Sequence, residues 1–322
     1  MRTLLGAVLA TVVLAGCGAP AVPPPVAPTP TEIPPSLALP AHPTGQAWRA
    51  LALVPAEATV VTITDFDAMR ARFGVPDLTS GDPAADRAAF WAQARAQAVL
   101  FTAGLFADGA RWPDRGFTED DVDWEVRFTG PHGSGYVVAF RPDLDMRRVQ
   151  AARHAKALRG ATVMAKEHLL VKGVAGEGDP VWAADPALPD LTDDGAESAY
   201  LRRGCVPVDD ALGSGASAAD KGTLIGELDP RNLDDLTAFS VSFADGLATA
   251  RLGEDRGDLI ARGQITEAWP VVKGSRGFTS GFRSDVLVDP SSGRVGLTPT
   301  SPQAAAAVTV ADLLPFAICD RL

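Results

Sequence analysis

"DWEVRFTGPHGSGYVVAFR" (residues 123–141) sets the fold class. Trp124, Val126 and Phe128 alternate with Glu125, Arg127 and Thr129, the period of a strand with one buried face. "GPHGSG" (130–135) turns the chain back, and "YVVAFR" (136–141) is apolar on both faces, as a strand inside a sheet is. A strand, a short turn and a second strand make an antiparallel pair, because a parallel pair needs a long crossover.

Outward from this hairpin, strands and helices interleave. Upstream, "ATVVTITDFDAMRARFG" (58–74) predicts a β-branched strand and then a short helix capped by Asp65. "DPAADRAAFWAQARAQAVLF" (82–101) predicts a helix whose buried stripe is Trp91, Ala94, Ala98 and Phe101. Downstream, Asp143 or Asp145 caps "LDMRRVQAARHAKAL" (144–158), and "GATVMAKEHLLVKG" (160–173) reads as two strands with a tight connection.

A stretch rich in Gly, Pro and Asp (174–195) is the best internal boundary. Beyond it come a strand at "AYLRRG" and a hairpin around Asp245-Gly246. A helix over 254–269, a hairpin around 289–293 and a helix over 302–314 complete the chain. The class is α+β, with largely antiparallel sheet and amphipathic helices. The segments 46–195 and 196–322 are either two similar subdomains or parts of one extended sheet; they do not align as a sequence repeat.

The N-terminal region differs in kind. Arg2 precedes an apolar run from Leu4 to Leu14, shorter than the roughly 20 residues that span a bilayer. Residues 18–45 hold ten prolines. Proline fixes φ and removes a donor, so this stretch builds no core; at about 3.1 Å per residue it reaches on the order of 80 Å. Leu14-Ala15-Gly16-Cys17 joins the two stretches. Charge, apolar run, small residues and Cys in this order resemble the leader of a bacterial lipoprotein. The resemblance implies a signal peptide over 1–16, diacylation of Cys17, and a tether over 17–45 that holds the folded part at the extracytoplasmic face of the cell membrane. Low Lys and Asn with abundant Ala, Gly, Pro, Asp and Arg fit a GC-rich genome, such as an actinobacterial one.

The formal net charge of −11 argues against nucleic acid and anionic lipid as partners. The expected partners are the membrane, through lipid on Cys17, and an envelope protein or small ligand. Besides Cys17 the chain holds two cysteines, and in an oxidising space Cys205 and Cys319 are expected to form a disulfide.

Catalytic signatures are weak. His132 stands near Ser134 in a Gly-rich turn, but no Gly-x-Ser-x-Gly elbow occurs. "EDDVDWE" (119–125) lacks the spacing of a calcium loop and reads as a solvated cap, with Thr118 and Asp121 in capping-box positions. "VVKGSRGFTSGFR" (271–283) lacks the Walker spacing, and Arg256-Gly257-Asp258 falls within an expected helix. No catalytic residue, metal ligand or cofactor is therefore assigned. Phe106, Trp112 and Phe117, in a loop interrupted by Gly and Pro, are expected to face a ligand or partner. The sequence thus reads as a lipid-anchored binding or interaction module without catalytic activity. The alternatives are an envelope hydrolase with a composite site and a solute-binding lipoprotein of a transporter.

Overall fold

The computed structural model describes residues 47–107, 112–193, 195–213, 215–227, 230–271 and 277–320. The leader, Cys17, the tether and residues 272–276 of the basic loop lie outside the described residues. No helix among the described residues is long and apolar enough to cross a membrane.

The first half runs β1 (Val60–Asp65), α1 (Phe66–Arg72), α2 (Ala84–Gln97), the hairpin β2 (Val122–Gly130) and β3 (Gly133–Phe140), α3 (Met146–Ala152), then the hairpin β4 (Thr162–Met164) and β5 (Leu169–Lys172). A short α4 (Leu188–Leu191) leads into the second half. There β6 (Ser198–Arg203), α5 (Val208–Leu212), α6 (Ala218–Glu227), β7 (Ala238–Ala244), β8 (Leu247–Arg251) and α7 (Leu259–Glu267) follow in turn. The chain closes with α8 (Phe278–Gly281), β9 (Leu287–Asp289), β10 (Arg294–Leu297) and α9 (Pro302–Val310).

The described strands form one sheet in the order β4-β5-β3-β2-β1-β6-β7-β8-β10-β9, antiparallel at every pairing. The two halves are thus joined in a single sheet. Its seam is the β1–β6 pair, in which Thr62 faces Tyr200. Outward from that seam both halves show one order: first strand, hairpin, then the second hairpin with its later strand inside. A repeat invisible in the residues is plain in the topology.

The alternation seen in the sequence sorts the faces. Trp124, Val126 and Phe128 join Val61, Ile63, Ala199 and Leu201 in a core covered by the segments around Trp48 and Trp182. On the opposite face, α1–α3 pack on Val138, Phe140 and Leu170 in the first half. The second-half helices pack on the same face over Tyr200, Phe239, Val241 and Phe243.

Local signals explain the connections. The Asp65 carboxylate accepts from the Ala68 N–H at 2.8 Å and starts α1; Asp145 caps α3 in the same manner. Asp245 and Gly246, at φ 51° and 78°, form the two-residue turn between β7 and β8. One expectation shifts: α2 ends at Gln97, so Phe101 leaves the helical stripe and packs on Tyr200 and Phe243, while Phe90 takes the buried place.

Cys205 and Cys319 form a disulfide with Cα atoms 4.9 Å apart. Backbone bonds flank it on both sides, Val206 N–H to Ala317 O and Cys319 N–H to Val206 O, so the tail lies against the start of α5.

Candidate functional site

The acidic segment expected to be a solvated cap is buried. Thr118 does cap it: Asp120 N–H donates to Thr118 Oγ1, and Thr118 N–H donates to Asp121 Oδ2, closing the capping box. The turn, however, tucks beneath α2 and the 100–107 loop, leaving Glu119, Asp120 and Asp121 only 7 %, 4 % and 5 % exposed. Charge composition marks such a run as solvent-facing, and its depth is set by tertiary packing that sequence does not display.

Each carboxyl is handled differently. Asp121 accepts from Ser80 N–H. Asp120 is fully engaged: Trp91 Nε1–H donates to Oδ1 at 2.7 Å, while Arg87 and Thr118 Oγ1 donate to Oδ2 at 2.8 and 3.0 Å. Glu125, on β2, accepts from Leu105 N–H, Thr102 Oγ1 and Arg127 Nε. Glu119 accepts from Phe106 N–H at 2.8 Å through Oε2, but its buried Oε1, packed against Gly104, has no partner among the described residues.

The loop after α2 thus points two successive N–H groups at two neighbouring carboxyls, a use of backbone donors that favours negative charge. Burial opposes it, and burial wins: together with the charge of Glu125 it pushes the Glu119 carboxyl up to about 8, with the Phe106 N–H offsetting only part. Gly104, at φ 85°, makes room. A Cβ at that position would stand 2.0 Å from Glu119 Oε1, so a glycine is required there by both backbone and space.

Above this pair opens a cavity of about 460 Å³, in the size range of small-molecule sites. Arg87, Trp91 and Arg95 line it from α2, Thr102 and Phe106 from the loop, and Glu119 and Asp120 from the turn. The Arg95 guanidinium lies 5.9 Å from the centre of the Trp91 ring.

The three aromatic residues expected to face a ligand or partner are placed otherwise. Phe106, Trp112 and Phe117 are 1 %, 5 % and 0 % exposed. They belong to the first-half core, with ring centres 4.9 to 5.6 Å apart. The chain around them carries Gly and Pro because it folds back, and the aromatics fill the space beneath the fold. Phe106 alone also borders the cavity. The aromatic that borders the cavity from α2 is Trp91, read from the sequence as part of a core stripe.

His132 and Ser134 stand exposed at the β2–β3 turn, sharing with Glu57 the rim of a depression of about 70 Å³. No hydrogen bond joins them, so no nucleophile–base relay is assembled. Asp258 of the Arg-Gly-Asp tripeptide lies before α7 rather than within a helix, and is buried against Arg256 and Arg262. Among the described residues no group of three or more His, Cys, Asp or Glu is arranged to hold a metal ion.

No family model matches the chain, and neither curated proteins nor solved structures give a match.

Proposed function

We propose that this chain is a lipid-anchored, extracytoplasmic binding module whose folded part takes a small, largely apolar molecule in the cavity beside α2. The anchor half of the reading rests on Leu14-Ala15-Gly16-Cys17, the apolar run before it and the proline tether after it. The Cys205–Cys319 disulfide is in keeping with an oxidising compartment. One observation carries the binding half: a cavity of ligand size beside α2, walled by Trp91 and Phe106 with the charged groups of Arg87, Arg95 and Glu119 at its border.

Binding is favoured over hydrolysis because a second reactive group is lacking. Asp120 is the other carboxyl lining the cavity among the described residues, and both its oxygens are held. A solute-binding protein of a transporter hinges two lobes around a cleft. A sheet continuous through β1 and β6 weighs against that.

Two measurements test the halves separately. Cys17→Ala should move the protein from the membrane pellet to the soluble fraction with its melting temperature unchanged; retention in the pellet removes the anchor. Ala103 is exposed at the cavity wall, so Ala103→Trp should fill the space without disturbing the core. Native mass spectrometry of protein recovered from the envelope should show a small bound molecule in wild type and not in Ala103→Trp. Identical spectra for the two proteins reject the cavity as the site.

A further inference from the structure

A second cavity opens where the end of α2, the residue before β6, the β7–β8 turn and the start of α9 meet. It holds about 240 Å³, below the range of drug-sized ligands, so what fits it is small. Val99, Phe243, Leu247 and Pro302 give it apolar walls, and Glu197 is the one charged residue among those lining it. Glu197 is only 5 % exposed. Its Oε1 lies 2.9 Å from Arg72 Nε and, at 3.5 Å, accepts from the Asp245 N–H. Its Oε2 receives no hydrogen bond from a described group, yet it is not sealed away as Glu119 Oε1 is. A donor entering the cavity can therefore reach it.

Charge decides which kind of donor that is. The charged groups acting on Glu197 are Arg72 from α1 and Asp245 from the β7–β8 turn. Two carboxylates share one guanidinium, which leaves one net negative charge. Arg72 has little to offer an anion: Nη2 donates to the Gln97 carbonyl, and Nη1 stands 4.0 Å from Asp245 Oδ1. The start of α9 offers an anion little more, because Ser301 Oγ accepts the Ala304 N–H and Pro302 has no N–H. Burial pushes the Glu197 carboxyl up against the pull of Arg72, and a cation brought into the cavity offsets that burial.

We propose that this second cavity binds a small primary amine as its ammonium ion, which donates to Glu197 Oε2 while a short apolar body lies against Phe243 and Leu247. Leu247, 60 % exposed at the cavity wall, is the apolar surface such a body covers. The site is separate from the cavity that borders Trp91 and takes a different class of ligand.

The test uses the full-length protein in detergent and three probes that share a phenyl body: 2-phenylethylamine, 2-phenylethanol and 3-phenylpropanoate. Calorimetric titration of wild type should show the amine bound roughly tenfold or more tightly than the alcohol, the worth of a hydrogen bond to a charged group. The carboxylate should bind more weakly still. Glu197→Gln should erase the preference for the amine. Asp245→Asn changes an exposed turn residue whose left-handed backbone asparagine accepts, and it should reduce the preference by about two- to fivefold. Ala96 is exposed at the cavity wall, so Ala96→Trp should fill the space and abolish amine binding, whereas Ala103→Trp should leave it unchanged. A wild type that binds amine and alcohol alike overturns the proposal, as does a preference that survives Glu197→Gln. Should Glu197→Gln fail to fold, an unchanged preference in Asp245→Asn overturns it. If Ala103→Trp blocks the amine and Ala96→Trp does not, the amine occupies the cavity beside Trp91, and the second site is overturned while the first stands.

Discussion

The two halves of the sheet share one strand order yet treat one buried acid each, Asp258 and Glu119, in opposite ways. In the second half Asp258 sits between two guanidinium groups, Arg256 Nε at 2.9 Å and Arg262 Nε at 2.6 Å. Burial pushes its carboxyl up, but the bonds and charges of the two arginines outweigh burial and hold it below its ordinary range. Arg262, itself buried, spends its other donors on the carbonyls of Asp234, Phe316 and Ile318, so the pair ties α7 to the chain before β7 and to the stapled tail. In the first half burial prevails instead. Glu119 is pushed to about 8, and Asp65 and Asp123 to about 6, although Arg70 lies 3.0 Å from Asp123. Asp258 is neutralised by cations and becomes a rigid anchor; Glu119, at the border of a cavity, keeps a buried oxygen without a partner among the described residues. That difference separates architecture from a site within one topology.

The largest expected effect is on pH. A carboxyl raised in the folded state keeps its proton where the unfolded chain has released it, so the folded form binds more protons and stability falls as pH rises. For Glu119 the window runs from 4.5 to about 8. Over that window the loss approaches about 5 kcal/mol, most of it above pH 6 where Asp65 and Asp123 no longer add to it. Asp258 acts in the opposite sense, and its contribution is lost only as pH falls below the ordinary value of 3.8. Hydrogen exchange resolved by residue should therefore show first-half amides losing protection between pH 5 and 8, with Glu119→Gln flattening the slope. A first half whose protection rises over that window, in wild type and variant alike, breaks the contrast.

Next in size is the clamp. Arg262→Met leaves Asp258 with Arg256 alone and the Phe316 and Ile318 carbonyls without their Arg262 donor, at a cost of about 3–5 kcal/mol for breaking a buried pair. Denaturant midpoints measure it. A loss below about 1 kcal/mol, the size of an exposed ion pair, makes the clamp no anchor at all.

Removing the staple should cost somewhat less. Cys205→Ser with Cys319→Ser opens a loop of 114 residues, and typical losses are about 2–4 kcal/mol. Thiol labelling of denatured, unreduced wild type should find neither cysteine free.

How far sequence reached follows the same division. Strands, turns and caps were legible because they are local: the alternation of Trp124, Val126 and Phe128, the Asp245-Gly246 turn, and the capping box at Thr118 and Asp121 each fix their own geometry. The pairing of Cys205 with Cys319 was legible by count. The repeat was not, since topology can recur while residues diverge. The site was not legible either. Glu119 stands in a run that reads as solvated, and only α2 and the 100–107 loop folding over it make it buried. Phe106, Trp112 and Phe117 misled for the converse reason: Gly and Pro around them signal a loop, and nothing local says that the loop's side chains turn inward. One signal was available: Gly104 stands within reach of an acidic run in an otherwise apolar loop.

The smallest effect isolates that glycine. Gly104 and Gly246 occupy one loop in each half, at φ 85° and 78°, and an alanine at either bears the cost of a left-handed backbone, about 1–2 kcal/mol. Around Gly246 a new Cβ meets nothing within 4 Å, so Gly246→Ala measures that cost alone. At Gly104 the Cβ falls 2.0 Å from Glu119 Oε1, and the carboxyl must move. Gly104→Ala should therefore lose more stability than Gly246→Ala at pH 5, where Glu119 is a neutral, well-packed acid. At pH 9 the gap should narrow, because a displaced Glu119 escapes the burial that makes its ionised form unfavourable. Paired melts of the two variants at both pH values read the difference directly, with the backbone cost cancelling. Equal losses at both pH values would mean that Glu119 is free to move without penalty and that Gly104 is no more than a turn.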